Sequence, residues 1–374
     1  MKTANIFRKT LALVSAALMT LTLAACSSQA PAATVAPAAE SAAPVESAAP
    51  AESAAAEETP AEAGKIYKVG IVKYVDDASL DQIEQSIQAE LDKKGAELGV
   101  TFDYADYTKN GQADSTTLNQ IAADLIADGV DVIIPIATPA ALIMQAATEE
   151  NAIPVVFSAV SDPVGAGLVD SLEAPGSNIT GTSDALKVEA VIDLMLAANP
   201  DLKKLGLLYD QGQDASKSAI AAAKAYCEAK GIETVEKTGT TNDELALAAD
   251  ALIAAKVDAV FTPTDNTVMT AELAIYEKFV DAKIPHYAGA DSFALNGAFC
   301  GYGVNYVTLG TSTADIAVDV LVNGAQPAST PVQIMSSGIA TVNTEVASAI
   351  GLDYSAFASL CEELKETITQ ESFN

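Results

Sequence analysis

Short apolar runs alternate with longer amphipathic segments along the chain from Lys65 onward. The run KVGIV at 68–72 is typical of a buried strand, and the segment 81–98 carries apolar side chains at helical spacing. The same alternation predicts strands at 68–72, 101–105, 132–135 and 154–158, and helices at 81–98, 118–127 and 139–149. Apolar strands separated by helices predict a parallel sheet with helices on both faces.

The pattern restarts in the second half of the chain. It predicts strands at 205–209, 233–237, 258–262 and 285–290, and helices at 215–230, 245–255 and 268–280. The segments DGVDVIIPIATPAA and AKVDAVFTPTDNTV occupy equivalent positions in the two halves. The predicted fold class is therefore α/β, with two doubly wound parallel-sheet lobes and a ligand cleft between them. In open sheets of this kind ligands bind beyond the carboxyl ends of the strands, so the candidate binding residues directly follow strands.

The first 25 residues are predicted to be an export signal. Lys2, Arg8 and Lys9 precede an apolar run at 11–25 that is short for a membrane span. The run ends in LAAC, which resembles the bacterial lipobox. This resemblance implies that Cys26 is lipidated and becomes the mature N-terminus, which would anchor the protein to the membrane. An ordinary signal peptide and an uncleaved anchor are the alternatives.

Residues 26–64 are predicted to form a disordered linker. The part from Ser27 to Gly64 is rich in Ala, Pro, Ser and Glu, and it has six glutamates but no Lys or Arg. Such a composition cannot form a core. Proline and like-charged glutamates favour an extended chain, so we expect a spacer between the lipid and the folded part.

The charge balance argues against several classes of protein. The chain has 20 Lys and Arg residues against 50 Asp and Glu, a formal net charge of −30, and a single histidine, His286. An acidic surface repels the phosphate backbone, so we expect no nucleic-acid partner. One histidine gives little material for a zinc site or a Ser-His-Asp triad. The motifs GxSxG and GxxxxGK[ST] do not occur either, so we expect no enzyme activity, no metal and no cofactor.

The three cysteines that follow Cys26 show no metal or redox spacing. Cys227 falls in a helical pattern, Cys300 in a strand-like run and Cys361 in a predicted C-terminal helix. Free thiols are the favoured interpretation, and a disulfide between Cys300 and Cys361 stays open.

Several motifs resemble the tryptophan- and tyrosine-binding type of ABC transporter substrate-binding proteins. They are TPAA from Thr138, PVVFSAVSDPVGAGLV at 154–169, PGSNITG at 175–181, PTDNTV from Pro263 and IPHYAGAD ending at Asp291. They occur in the family's order and spacing, and the similarity extends from Tyr67 to about Gln333. The resemblance implies a type I periplasmic-binding-protein fold that closes on a small ligand, with an aromatic amino acid expected.

The resemblance also implies that the chain crosses between lobes more than once. Lobe 1 is predicted at 65–182 plus about 307–325, and lobe 2 at 183–306 plus about 326–374. The implied partners are ABC permease subunits, and the implied location is extracytoplasmic, lipid-anchored to the cell membrane. We expect a monomer.

Candidate binding residues of lobe 1 follow its predicted strands. Thr138 precedes Pro139 and suits a helix N-cap. Alternatively, the Thr138 hydroxyl and the amide of Ala140 cradle a ligand carboxylate at the helix N-terminus, where the helix dipole favours an anion.

Two further loops of lobe 1 supply candidates. Ser158, Ala159 and Asp162 follow the strand at 154–158, and Ser158 is favoured over Asp162 as a direct ligand because Asp-Pro also initiates turns. Asp77 and Ser79 precede the first helix, where helix capping and ligand contact are both open interpretations.

Lobe 2 contributes Asp265, Asn266 and Asp291, each just after a predicted strand. An ammonium group that enters a desolvating cleft needs an anionic partner, and we expect Asp265 or Asp291 to supply it. Tyr209 ends a strand and could stack on a ligand or pack at the cleft rim. Other aromatic residues near strand ends are Tyr74, Phe157, Phe293 and Tyr302. They could line a pocket for an aromatic ligand, although core packing is the favoured role of Phe157.

Three functions therefore compete. The first is a solute-binding lipoprotein that delivers an aromatic amino acid to an ABC permease by closing its lobes, with a nucleoside, a sugar or another amino acid as alternative solutes. The second is a sensing receptor of the same fold. The third, an extracellular enzyme, ranks last because the sequence lacks a nucleophile motif or a phosphate loop.

Overall fold

The computed structural model describes residues 64–370. The predicted signal peptide, Cys26 and nearly all of the predicted linker lie outside the described residues. Within 64–370, no helix is both long and apolar enough to cross a membrane.

Strands and helices alternate through the described residues much as the hydrophobic pattern predicts. The strands are β1 Ile66–Lys73, β2 Thr101–Asp103, β3 Thr108–Asn110, β4 Val132–Ile136, β5 Val155–Phe157, β6 Ile179–Ser183, β7 Lys204–Tyr209, β8 Glu233–Thr238, β9 Ala259–Thr262, β10 His286–Ala288, β11 Cys300–Gly303, β12 Gln333–Ile334, β13 Ile339–Asn343 and β14 Glu363–Thr367. The helices are α1 Ala78–Leu98, α2 Ser115–Ala127, α3 Thr138–Thr148, α4 Val188–Ala198, α5 Asp214–Lys230, α6 Asn242–Ala254, α7 Asn266–Asp281, α8 Asp291–Leu295, α9 Tyr306–Val322 and α10 Thr344–Ile350.

The strands form two sheets. The first has the order β12-β6-β5-β4-β1-β2, with β3 also paired to β1, and all of its pairings are parallel. The central strand β4 (VIIPI) is buried along its whole length, as expected for a strand covered on both faces. Together with α1, α2, α3 and α9, this sheet forms the first lobe. The α/β fold class is confirmed.

The second sheet has the order β14-β13-β11-β10-β9-β7-β8. Its pairings are parallel except for β11 with β13, which run antiparallel. With α4 to α8 and α10, it forms the second lobe.

The chain crosses between the two sheets three times. It leaves the first sheet after β6, returns after β11 through α9, and leaves again between β12 and β13. Because β12 pairs with β6, the returning segment extends beyond residue 325. The lobe boundaries expected from the sequence remain a prediction.

The returning helix α9 packs closely along α1. A Cβ atom at Gly310 would lie 2.6 Å from the Ile83 carbonyl oxygen, so only glycine permits this approach. The buried apolar face of α1, which includes Ile83 and Ile87, is covered in this way. This packing fixes the N-terminal ends of both helices next to the cleft.

One element expected from the sequence is wrong. Cys361 does not lie in a C-terminal helix but in a bend just before the edge strand β14. A short apolar stretch is compatible with a helix or a strand, and here the segment that follows Cys361 forms a strand because it pairs with β13. Cys227 and Cys300 are buried, Cys361 is partly buried, and all three are free thiols.

Candidate functional site

A cavity lies where the carboxyl ends of the two sheets face each other. In this conformation the cavity is narrow, with a volume of about 30 Å³. Its wall includes seven of the residues singled out from the sequence, namely Asp77, Ser79, Thr138, Ala159, Asp265, Asn266 and Phe293. Each comes from a loop or a helix start that directly follows a strand, as the strand-end rule predicts.

The first lobe presents the N-terminus of α3 to the cavity. Thr138 is the first residue of this helix and not its cap, so the capping interpretation is wrong; the cap position is taken by Ala137, which makes no side-chain capping bond. The Thr138 side chain is 2 % exposed, and its Oγ1 has no hydrogen-bond partner among the described residues. Pro139 has no N–H and the Ala141 amide donates to the Ala137 carbonyl, so the free amides of this first turn are those of Thr138 and Ala140.

Two alanines on the same wall have strained backbones. Ala137 has φ 80° and ψ 152°, and Ala159 has φ 55°. Positive φ angles are unfavourable for residues with a Cβ atom, and such strain concentrates at ligand sites. The backbone is thus held in an unusual shape on both sides of Thr138.

Asp77 caps helix α1, as one of the two interpretations of this position predicts. Its Oδ1 accepts hydrogen bonds from the amides of Ser79 at 2.8 Å and Leu80 at 3.3 Å. Burial raises the pKa of the Asp77 carboxyl to about 6, despite the lowering effect of these bonds and of the nearby Ser292 hydroxyl.

Asp265 is saturated with hydrogen bonds. Its Oδ1 accepts from the amides of Thr267 and Val268, both at 3.0 Å, and caps α7. Its Oδ2 accepts from the Asp210 amide at 2.8 Å and the Ser216 hydroxyl at 2.6 Å. Burial nevertheless raises its pKa to about 6. A carboxylate has about four acceptor sites, so Asp265 has no obvious capacity left for a ligand.

Asp184 lies on the cavity wall and was not among the residues singled out from the sequence. It follows β6, it is 6 % exposed, and its Oδ1 accepts one hydrogen bond from the Ser161 hydroxyl at 2.9 Å. Burial raises the pKa of its carboxyl to about 6. Among residues 64–370 it is reached by one side-chain donor and by its own backbone amide, so this carboxylate retains acceptor sites for a ligand.

Other wall residues that the sequence reasoning missed are Leu80, Ser161, Thr264, Met269 and Tyr306. Tyr306 starts α9, and burial raises the pKa of its phenol well above the usual value, with the nearby carboxylates of Asp184, Asp291 and Asp77 adding to the effect. The residue type and its place after β11 are a strand-end signal that could have found Tyr306.

Hydrogen bonds bridge the cleft between the lobes. The Ser79 hydroxyl of the first lobe donates to Asp291 Oδ1 of the second lobe at 2.5 Å, and the Gln82 amide reaches Asp291 Oδ2 at 3.4 Å. On another side, the hydroxyls of Ser161 and Thr264 are 2.7 Å apart. The structure is therefore a closed conformation.

Asp291 is part of this bridge and does not line the cavity. Burial raises its pKa, and the hydrogen bonds from Ser79 and Gln82 oppose that change. Its expected role as the partner of an ammonium group stays a prediction.

Four other candidates lie away from the cavity wall. The Ser158 hydroxyl is 2.8 Å from that of Thr313, Ala140 is buried inside the first lobe, the Asp162 carboxylate accepts from the Gly165 amide, and the Tyr209 hydroxyl donates to Glu236. Asp162 thus acts as a turn former, the alternative that its sequence offered. The aromatic candidates separate similarly, with Phe293 on the wall, Tyr74 half-buried beside Gln213, and Phe157 and Tyr302 packed in the cores.

The cavity wall is acidic. It carries the carboxylates of Asp77, Asp184 and Asp265, while none of the described residues that line it is Lys, Arg or His. Buried carboxylates require a cation or a proton. Within residues 64–370 no cluster of His, Cys, Asp and Glu has the arrangement of a metal site. The arrangement suits a ligand that brings its own positive charge.

Comparison with known proteins gives consistent results. Residues 68–360 match the family model "ABC transporter substrate binding protein". A tyrosine-binding protein of Clostridioides difficile is 31% identical over 293 residues, which cover 78% of this chain and 83% of that protein.

Two solved structures resemble the described fold. An ABC domain from Streptococcus pneumonia in complex with L-Trp has 30% identity and a TM-score of 0.74, covering 80% of this chain and 100% of that one. The ligand-free, open structure of a substrate-binding protein with adhesive properties from Clostridium difficile has 32% identity and a TM-score of 0.62, covering 81% and 100%. At similar identity, the match is higher to the structure that contains a ligand.

Proposed function

This chain belongs to the ABC transporter substrate-binding protein family, and from that premise we propose that it captures an aromatic α-amino acid in the cavity and delivers it to an ABC permease. Relatives at about the same identity are a tyrosine-binding protein and a protein crystallised with L-Trp. The cavity itself supports the same ligand class.

The carboxylate of the ligand is placed at the N-terminus of α3. There the buried Thr138 hydroxyl lacks a partner among the described residues, and the Thr138 amide belongs to the first turn, whose amides have no partner within the helix. The helix dipole favours an anion at this position even in an acidic protein, because the effect is local.

The ammonium group is placed at Asp184. Asp184 keeps unused acceptor sites on the wall, whereas the hydrogen bonds of Asp265 are complete. The Ser161 and Thr264 hydroxyls lie close to Asp184 and can add further contacts. A buried ammonium pairs with a carboxylate at short range, and their attraction offsets the desolvation penalty of the two charges.

The observation that carries the proposal is that one cavity wall offers both a group for the ligand carboxylate and a group for the ligand ammonium. An unpartnered hydroxyl at a helix N-terminus and an incompletely bonded carboxylate together match a zwitterion. Leu80, Met269 and Phe293 supply an apolar surface for the side chain.

The test is calorimetric titration of protein that has been unfolded and refolded to remove carried ligand. We expect L-Trp or L-Tyr to bind and a deaminated analogue, indole-3-propionate, to bind at least about a hundredfold more weakly, as for loss of a buried charge pair. Asp184→Asn should weaken amino-acid binding to a similar degree. The control Asp106→Asn removes the same charge from an exposed position and should change nothing.

Equal binding of the amino acid and its deaminated analogue would contradict the proposal. So would an Asp184→Asn variant that binds like the parent.

We also propose that the protein is extracytoplasmic and held at the membrane by a lipid on Cys26. The apolar run at 11–25 and the LAAC sequence support this. The test is detergent phase partition of the protein isolated from cells. We expect the parent to enter the detergent phase and the Cys26→Ser variant to stay in the aqueous phase. Recovery of both proteins in the aqueous phase would count against the anchor.

A further inference from the structure

The cavity adjoins two solvent-filled grooves at different places. One groove shares Ser161 and Thr264 with the cavity wall, and the other shares Asp77 and Met269. The two grooves have no lining residue in common, so Asp77 and Ser161, which contacts Asp184, border different openings of the cavity.

The surroundings of Asp77 are those of a side-chain pocket. Leu80 and Phe293 line the same cavity, and Met269 lines both the cavity and the groove that Asp77 borders. Phe293 is fully buried and Asp77 is 8 % exposed. A buried carboxylate beside such apolar side chains is costly unless a ligand or a neighbour donates to it.

One oxygen of Asp77 is available to a ligand. Oδ1 accepts from the two amides at the start of α1, and Oδ2 accepts no hydrogen bond of good geometry from residues 64–370; the Ser292 hydroxyl is a neighbour of this carboxylate. That hydroxyl oxygen is itself buried and has no hydrogen-bond partner of good geometry among residues 64–370. This end of the cavity therefore offers a fixed acceptor, held in place by its capping role.

We infer that Asp77 accepts a hydrogen bond from the ring of the ligand, so that the site selects aromatic amino acids with a ring donor, the indole N–H of Trp or the phenol O–H of Tyr, over Phe. The inference rests on the proposed function and deepens it. Phe would leave the Asp77 carboxylate desolvated and unpaired, and sites built to bond a polar group reject analogues that lack it.

The experiment compares the dissociation constants of L-Trp, L-Tyr and L-Phe for the refolded protein. The chain contains no tryptophan, so the fluorescence of bound L-Trp can be followed without interference from protein indole. We expect Phe to bind about tenfold to a hundredfold more weakly than Trp and Tyr, the factor that corresponds to one hydrogen bond to a charged group.

Asp77→Asn is the informative variant because Asn is also a good N-cap and keeps α1 intact. If the Asn NH₂ group replaces Oδ2, it and the indole N–H are both hydrogen-bond donors and cannot bond to each other. The phenol oxygen of Tyr can accept a hydrogen bond from the same NH₂ group. We expect Trp to lose about tenfold or more in affinity, Tyr to lose less, and Phe to change by less than about threefold. Asp77→Ser, another capping residue, provides a second variant should the first fail to fold.

The matched control is Asp114→Asn. Asp114 caps α2 as Asp77 caps α1, with its Oδ1 accepting from the Thr117 amide at 2.7 Å, but it is exposed and outside the cavity. It should leave all three affinities unchanged.

The outcomes separate the two proposals. If the parent binds none of the three amino acids, the proposed function fails. The inference is overturned if the parent binds Phe as tightly as Trp and Tyr, or if Asp77→Asn lowers the affinity for all three equally. The ligand would then be aromatic, but Asp77 would not bond to its ring.

Discussion

At the residue scale, the aspartates around the cavity differ in how completely they are hydrogen-bonded. Asp265 accepts four bonds and joins α7 to Ser216 and the Asp210 amide, so it organises the second lobe. Asp184 accepts one side-chain bond and has capacity left. Residue type and position after a strand do not distinguish these two roles, whereas the count of bonds does.

The raised pKa values predict a pH dependence of binding. Burial raises the pKa of Asp184 to about 6, and a ligand ammonium pairs with the ionised form, so affinity should fall about tenfold as the pH is lowered from about 7 to about 5. Titrations at several pH values measure this. Asp184→Asn should flatten the dependence, and an equally steep fall in that variant would assign it to another group.

The same values predict the opposite trend for the stability of the unliganded protein. A carboxyl with a folded-state pKa of about 6 and an ordinary value of 3.8 holds its proton more tightly in the folded state. Its stabilising contribution is present below about pH 4 and is lost as the pH rises through about 6. The rise in Tm caused by the amino acid should therefore grow with pH between these values.

At the scale of elements, hydrophobic periodicity predicted the long helices and the central strands because each is determined by its own sequence. The short strand β12 and the return of α9 to the first sheet were not visible in the same way, since they depend on pairing with β6 and packing on α1, far away in the chain. The sequence does not single out Asp184, because β6 (ITGTS) has too few apolar residues to be predicted as a strand from hydrophobic periodicity. The closed bridge between Ser79 and Asp291 joins two lobes and has no local signal.

The positive φ angle of Ala137 should strain the backbone at the start of α3. Because glycine tolerates a positive φ angle, Ala137→Gly should stabilise the protein by about 1 kcal/mol and raise Tm by about 2 °C. In the control Ala146→Gly, an exposed position inside the same helix, stability should fall by about 0.5–1 kcal/mol. Thermal unfolding measures both. A loss of stability in both variants would show that the backbone at Ala137 is not strained.

At the scale of the whole molecule, the closed conformation gathers three buried carboxylates, Asp77, Asp184 and Asp265, at the cavity, with the partly buried Asp291 in the bridge beside it. Asp291 adds like-charge repulsion that raises the pKa of Asp77. Without a ligand cation, closure costs desolvation and repulsion of these groups, so the unliganded protein should open at neutral pH.

Small-angle X-ray scattering tests this directly. The radius of gyration of the refolded protein should be larger without ligand at pH 7 than with a saturating amino acid, because the ammonium group neutralises the cavity on closure. Asp291→Ala removes the Ser79 bridge and should shift the liganded protein toward the open state, with faster ligand release. An identical radius with and without ligand would contradict ligand-driven closure.

The return of α9 and β12 to the first sheet also sets an order of events during synthesis. The apolar face of α1 is made early, but the helix that covers it leaves the ribosome only after the strands β7 to β11 of the second lobe. The first lobe therefore cannot be completed until most of the chain exists, and contacts that span so much sequence form slowly. For a protein predicted to be exported, we expect this delay to leave the nascent chain unfolded while it crosses the membrane.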